Sequence, residues 1–131
     1  MKNILILCTG NSCRSQIAHG FFQKYAGEKA HIYSAGVETH GVNPKAISIM
    51  KEIGINLSKY TSNHMDEYVA IDFDYIITVC DSAKERCPVF PVKTTQIHRN
   101  FTDPAGKDIE AFRKVRGEIE VFAKAFLKEK L

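Results

Sequence analysis

Cys8 and, six positions on, Arg14 are joined by Thr9, Gly10, Asn11, Ser12 and Cys13 and followed by Ser15. This is the spacing of a nucleophile enclosed with its own anion receptor. The apolar run Ile4-Leu5-Ile6-Leu7 enters it directly, so the sequence predicts a buried strand, a tight loop over 8–14 and a helix opening at Ser15. Backbone N–H groups then converge on one point with the positive end of a helix dipole behind them. A thiol held there is expected to have a lowered pKa, because loop amides, dipole and guanidinium all favour the thiolate. Arg14 can fork two oxygens of a tetrahedral oxyanion, and Ser15 can hydrogen-bond the sulfur. Gly10 and Asn11 suit positive φ or close backbone approach to a ligand. The plainer reading, Cys8 as a small buried hydrophobe and Arg14 as a surface charge, ignores the strand–loop–helix setting. Thr9, Gly10, Asn11, Ser12, Cys13 and Arg14 are the expected oxyanion-binding residues.

Thiolate attack on such an anion needs a general acid for the departing oxygen, and Asp103, stiffened by Pro104, is the candidate. Asp103 also reads as a turn or capping residue before Ala105-Gly106. Cys80 and Cys87 lie seven positions apart across a polar stretch ending at Pro88. If that stretch is helical the two are roughly 10 Å apart at 1.5 Å per residue, beyond the reach of a disulfide unless the segment unwinds. Beside the Cys8 loop the pair suggests a redox relay. Cys13 reads as a packing residue, with reactivity as the alternative.

These groups need a frame that brings distant loops together. The length of 131 residues fits one domain over 1–131, and an apolar share of 44% with 25% charged residues is that of a globular chain. Short apolar runs alternating with helical periodicity predict an α/β fold with a parallel sheet and helices on both faces. Expected strands are Asn3–Leu7, His31–Ser34, Tyr75–Val79 and Thr95–His98. Expected helices are Ser15–Tyr25, Pro44–Ile53, Asp66–Ile71 and Ile109–Leu127. In the last of these Ile109, Phe112, Arg116, Ile119, Phe122 and Phe126 form a packing stripe that Arg116 interrupts. Right-handed crossovers put the first strand in the interior, so the Cys8 loop, Cys80 and Asp103 should open onto one sheet edge at the switch point.

A net charge of +3 suits an anionic substrate, and its scatter argues against nucleic acid. No run is long enough to span a bilayer, and the apolar residues before Cys8 are too few for a signal-peptide core. A reducing cytoplasm is therefore expected, where the four cysteines serve chemistry rather than structural staples. No cysteine or histidine spacing suggests zinc. A monomer with no cofactor and no metal is expected.

Cys8-Thr-Gly-Asn-Ser-Cys-Arg-Ser-Gln16, Tyr33-Ser-Ala-Gly-Val-Glu-Thr-His-Gly-Val-Asn-Pro-Lys-Ala46, Val79-Cys80, Cys87-Pro88 and Asp103-Pro-Ala-Gly-Lys107 together resemble the thioredoxin-coupled arsenate reductases. That family is built on the low-molecular-weight phosphatase fold, a three-layer sandwich around a four-stranded parallel sheet, and the likeness covers nearly the whole chain. The resemblance implies that Cys8 attacks arsenate held by the loop and Arg14, with Ser15 stabilising the thiolate and Asp103 protonating the leaving oxygen. It further implies that Cys80 attacks Cys8 to release arsenite, and that Cys87 moves the disulfide to Cys80–Cys87 for reduction by thioredoxin. Some members bind potassium through acids at positions where this chain has His19 and Asn63, hence the expectation of no metal site.

The competing enzyme reading is a phosphatase for phosphotyrosine or small phosphoesters, which needs Cys8, Arg14 and Asp103 but neither later cysteine. Its aromatic walls are missing around Val37-Glu38-Thr39-His40 and Cys80-Asp81. A redox or oxyanion sensor is the other class, and no output segment accompanies it.

Overall fold

Ile4, Leu5, Ile6 and Leu7 are all buried, which a strand achieves only when its alternate side chains are covered on both sheet faces. They form the middle of β1 (Lys2–Cys8) in a computed structural model that describes residues 1–80 and 94–131. β2 (Ala30–Gly36), β3 (Tyr75–Thr78) and β4 (Thr95–His98) complete a sheet of order β2-β1-β3-β4. Every pairing is parallel, with Leu5 between Tyr33 and Ile76, and Cys8 beside Gly36. The expected fold class and the interior position of β1 are both found.

The crossover from β1 to β2 runs through α1 (Arg14–Ala26), and the later strands lie on the other side of β1. The sheet order therefore reverses at the end of β1, where a crevice opens above the strand termini. α2 (Pro44–Lys51) is capped by Asn43, whose side chain accepts from the Lys45 N–H at 2.9 Å. α3 (Ile109–Lys130) is capped in the same way by Asp108. Cys13 caps α1 with no side-chain hydrogen bond, and the first turn of α1 holds no acid. Its leading N–H groups are left available to a ligand.

α1 and α3 sandwich an aromatic cluster against the sheet. Phe22 lies 5.6 Å from Phe126, Phe126 meets the Tyr75 ring edge-on at 5.3 Å, and Phe101 meets Phe122 at 5.8 Å. Truncating the fully buried Phe22 to Ala would cost about 3–5 kcal/mol, removing apolar contact and leaving a cavity. On the other face Tyr33 packs against Phe73 and Tyr68.

The differences from expectation are one replaced helix, shifted helix ends and one position of the packing stripe. Asp66–Ile71 is not an α-helix but a 3₁₀ turn over Met65–Tyr68, capped by His64 with Glu67 reaching back to the His64 N–H at 2.9 Å. A segment of one turn gains too few hydrogen bonds to propagate. α2 stops at Lys51 rather than Ile53, and the chain reverses through Gly54 at φ 83°. α3 runs on to Lys130, since neither Gly nor Pro follows Leu127 to stop it. Val115, not Arg116, lies in its buried stripe, while Arg116 reaches across to the Ile49 carbonyl at 2.8 Å and to Glu52.

Candidate active site

Between β1 and α1 every carbonyl of the loop is held from outside. The Cys8, Thr9, Gly10 and Ser12 carbonyls accept from the N–H groups of Val37, Glu38, His40 and Asn43 at 3.3, 2.9, 3.0 and 2.9 Å. Gly10 also receives the Ser62 hydroxyl at 2.8 Å, Asn11 receives Gln16 Nε2 at 3.0 Å, and Cys13 receives the Ile17 N–H at 2.9 Å. In a trans peptide the N–H points opposite to its C=O. Anchoring the carbonyls outward therefore turns the amides of residues 9–14 inward, as an anion receptor requires.

Asn11 takes the one positive φ outside glycine, 47° among the described residues. Its side chain is fully buried and braces the loop from beneath, donating to Ser15 Oγ at 2.8 Å and accepting the Asn63 N–H at 2.8 Å. Gly36 permits the close approach of β2, because a Cβ there would lie 2.7 Å from the Thr9 carbonyl oxygen and 2.8 Å from the Asn11 nitrogen. Gly10 has the same need on the outer side, where a Cβ would meet His40 Nδ1 at 2.5 Å.

The resulting cavity, about 220 Å³, is lined by Cys8, Thr9, Gly10, Ser12, Cys13, Arg14, His40, Asp103 and Ala105. Five of the six expected oxyanion-binding residues face it. Asn11 does not; it shapes the loop through its backbone conformation and its hydrogen bonds. Ser15 also lies beneath, fully buried, with its oxygen occupied by Asn11.

Arg14 donates through Nη1 to the Phe101 carbonyl at 3.0 Å and faces Asp103 Oδ2 across 3.6 Å from Nη2. Its Nε is buried and has no hydrogen-bond partner. A donor in that state carries an unmet desolvation cost that an oxyanion would relieve. Asp103 combines its two anticipated positions, since Oδ1 accepts the Ala105 N–H at 3.0 Å while the carboxylate is half-exposed at the cavity rim.

Cys80, just beyond β3, is brought to the same point. Its sulfur lies 3.1 Å from Thr9 Oγ1 and near enough to Cys8 to act on its thiol. This proximity overturns the expected lowering of the Cys8 pKa. The neighbouring Cys80 thiol and then burial push the Cys8 thiol well above the ordinary range, against the opposing pull of Arg14 and the Thr9 N–H. Burial, with Asp103 adding to it, likewise raises Cys13 to about 12, in keeping with a packing role. Cys87 lies outside the described residues.

His19 is held by Ser34, with Nδ1 to Oγ at 2.8 Å, and packs on Tyr60; burial lowers its pKa to about 4. Among the described residues no trio of His, Cys, Asp or Glu is placed to hold a metal ion, and none of the described helices is long and apolar enough to cross a membrane. Sequence reasoning placed His40 at the rim of the site, where it lies, and missed Gln16, Gly36 and Ser62 as parts of it. Gly36, a glycine at the end of a strand entering the loop, carried the one usable signal.

The low molecular weight phosphotyrosine protein phosphatase family matches residues 3–131. Arsenate reductase 1 of Staphylococcus epidermidis is 49% identical over 125 residues, 95% of either chain. The solved structure of an arsenate reductase in the phosphate-binding state is 35% identical with a TM-score of 0.82, covering 98% of both chains. An arsenate reductase in its oxidised state superposes with a TM-score of 0.85 at 33% identity, again over 98% of both. With its fold and its cysteine loop, the chain belongs to the low molecular weight phosphotyrosine protein phosphatase family and, within it, to the arsenate reductases.

Proposed function

We propose that this protein reduces arsenate to arsenite through a covalent Cys8 intermediate and a relay of Cys8, Cys80 and Cys87 that thioredoxin resets. The observation that carries the reading is the second thiol, Cys80, which neighbours the nucleophile beside an oxyanion receptor, with its sulfur 3.1 Å from Thr9 Oγ1. A phosphoester hydrolase has no use for it, because water completes that reaction.

In the first step Cys8 sulfur bonds to arsenic and one As–O bond breaks. The thiol proton and the departing hydroxyl together make water, with Asp103 passing the proton to the leaving oxygen. The amides of residues 9–14 and Arg14 hold the remaining oxygens, and Ser15 supports the thiolate beneath them. In the second step Cys80 thiolate attacks Cys8 sulfur, and the S–As electron pair stays on arsenic. Arsenic falls from the +5 to the +3 state and leaves as arsenite, while the two sulfurs are oxidised to a Cys8–Cys80 disulfide. Exchange by Cys87 moves the bond to Cys80–Cys87 and frees Cys8 thiolate; thioredoxin supplies the two electrons that reopen it. On this reading the chain works as one domain and as a monomer, in a cytoplasm reducing enough to keep its thiols ready.

The test supplies arsenate, thioredoxin, thioredoxin reductase and NADPH. Arsenate-dependent NADPH loss that is absent in Cys8→Ser supports the proposal. Turnover of phosphoesters with no consumption of thioredoxin would make the protein a phosphatase instead.

A further inference from the structure

Two cations hold the segment that carries Asp103. At its start Arg14 Nη1 donates to the Phe101 carbonyl at 3.0 Å, and at its far end Lys45 Nζ donates to the Lys107 carbonyl at 2.8 Å. Arg14 belongs to the anion receptor, but no step above uses Lys45. Its side chain leaves the first turn of α2 and carries the ammonium over the Phe112 ring, Nζ to centroid 5.7 Å. Phe112 is fully buried, so that ring is held by the core. The backbone at the root of Lys45 is tied to the nucleophile loop: the Asn43 N–H holds the Ser12 carbonyl at 2.9 Å, and the Asn43 side chain accepts the Lys45 N–H at 2.9 Å. Asn43-Pro44-Lys45 therefore spans from the loop that carries Cys8 to the loop that carries Asp103. Within the acid loop Asp103 Oδ1 accepts the Ala105 N–H at 3.0 Å, the Lys107 N–H binds the Pro104 carbonyl at 2.9 Å, and Pro104 is buried. These turns make residues 103–107 one unit, so a hold at Lys107 is a hold on the carboxyl.

We propose that Lys45 is a positioning residue for the general acid, a strut that sets the distance between the Asp103 carboxyl and the oxyanion held over Cys8. The inference rests on the covalent chemistry proposed for Cys8 and Asp103 and adds what keeps the acid in reach. A proton passes to the leaving oxygen only from a donor within hydrogen-bond distance, about 2.6–3.2 Å. A displacement of about 1 Å in a reacting group can cost on the order of 10²-fold in rate. Asp103 is half-exposed at the rim, and its contact with Arg14 Nη2 at 3.6 Å is one for which an incoming oxyanion competes. Lys45 does not line the cavity, so its hold on the acid loop persists when the anion arrives.

The experiment is a double-mutant cycle of wild type, Lys45→Met, Asp103→Asn and the pair, read by rapid quench as the first arsenite released, with the Ki of inorganic phosphate measured alongside. Lys45→Met keeps an unbranched apolar stem and removes the donor; Lys45→Gln stands in for it should it fold poorly. Lys45→Met should slow the step roughly tenfold and leave the phosphate Ki little changed. In the Asp103→Asn background the same substitution should have almost no effect, since the strut acts through the acid. Lys45→Arg, which restores a cationic donor, should recover most of the rate. Additive effects of Lys45→Met and Asp103→Asn, or a Lys45→Met rate equal to wild type, would overturn the strut. A loss matched by equal weakening of phosphate would overturn it too, and make Lys45 part of anion binding. If arsenate yields no arsenite the reductase reading fails, and the cycle is read on phenyl phosphate hydrolysis, whose covalent step uses the same nucleophile and acid; the two failures are thus told apart. Amide exchange gives a reading independent of activity: the Ala105 and Lys107 N–H groups should exchange faster in Lys45→Met than in wild type, and unchanged exchange would also overturn the proposal.

Discussion

Cys80 reaches the Cys8 thiol from the end of a different strand, and the Thr9 hydroxyl lies 3.1 Å from the Cys80 sulfur. The nucleophile and the group proposed to resolve its intermediate are therefore neighbours before any substrate arrives. This proximity opposes ionisation of Cys8, because the Cys80 thiol is the largest influence raising its pKa.

Removing Cys80 should consequently release Cys8. In Cys80→Ala the pKa of Cys8 falls, and its alkylation by iodoacetamide at neutral pH, read by peptide mapping, becomes faster than in wild type. Cys13 does not compete, being raised to about 12. A Cys8 alkylation rate unchanged by the substitution would contradict the role given to the thiol–thiol contact.

Asp103→Asn keeps the Ala105 turn, since an amide oxygen can accept the same N–H, but it removes the proton donor. The covalent step should slow by about 10² to 10⁴, the usual worth of a general acid. Rapid-quench measurement of the first arsenite released reads this step. A rate equal to wild type would reduce Asp103 to its turn function.

His19 predicts a pH dependence of stability. Its folded-state pKa, about 4, lies below the unfolded value of roughly 6.5, so the unfolded chain binds the proton first. Stability conferred by the neutral buried ring is complete above pH ~6.5, falls as pH drops from there towards ~4, and is then fully lost, at about 3 kcal/mol in the limit of the whole shift. Glu52, lowered to about 2 by Arg113 and Arg116, loses its contribution at lower pH, between its unfolded value and ~2. Urea unfolding between pH 7.5 and 4.5 should show the His19 slope in wild type and a flatter profile in His19→Gln. Equal slopes would assign the effect to other groups.

The loop was readable because its chemistry is contiguous: nucleophile, amides and Arg14 follow one another between a strand and a helix. The parallel sheet was readable because Ile4–Leu7 and Tyr75–Thr78 are continuous apolar runs bounded by polar segments. What the sequence hid depends on distant partners. The Cys8 pKa was misjudged because local reasoning counted the loop and Arg14 but not a thiol 72 positions away. His40, Ser62 and Gly36 act on the loop through backbone carbonyls and van der Waals approach, which residue types do not announce. Asn11 was recognised for its φ, but its buried hydrogen bonds to Ser15 and Asn63 follow from tertiary packing.

The central claim is an electron path from Cys8 through Cys80 to Cys87, and Cys87→Ser tests it most directly. Treated with arsenate and no reductant, this variant should release one arsenite per chain, stop, and show a Cys8–Cys80 disulfide on peptide mapping, whereas wild type treated alike should carry Cys80–Cys87. Sustained turnover of Cys87→Ser on thioredoxin, together with no linkage between any of these cysteines after arsenate, would contradict the relay.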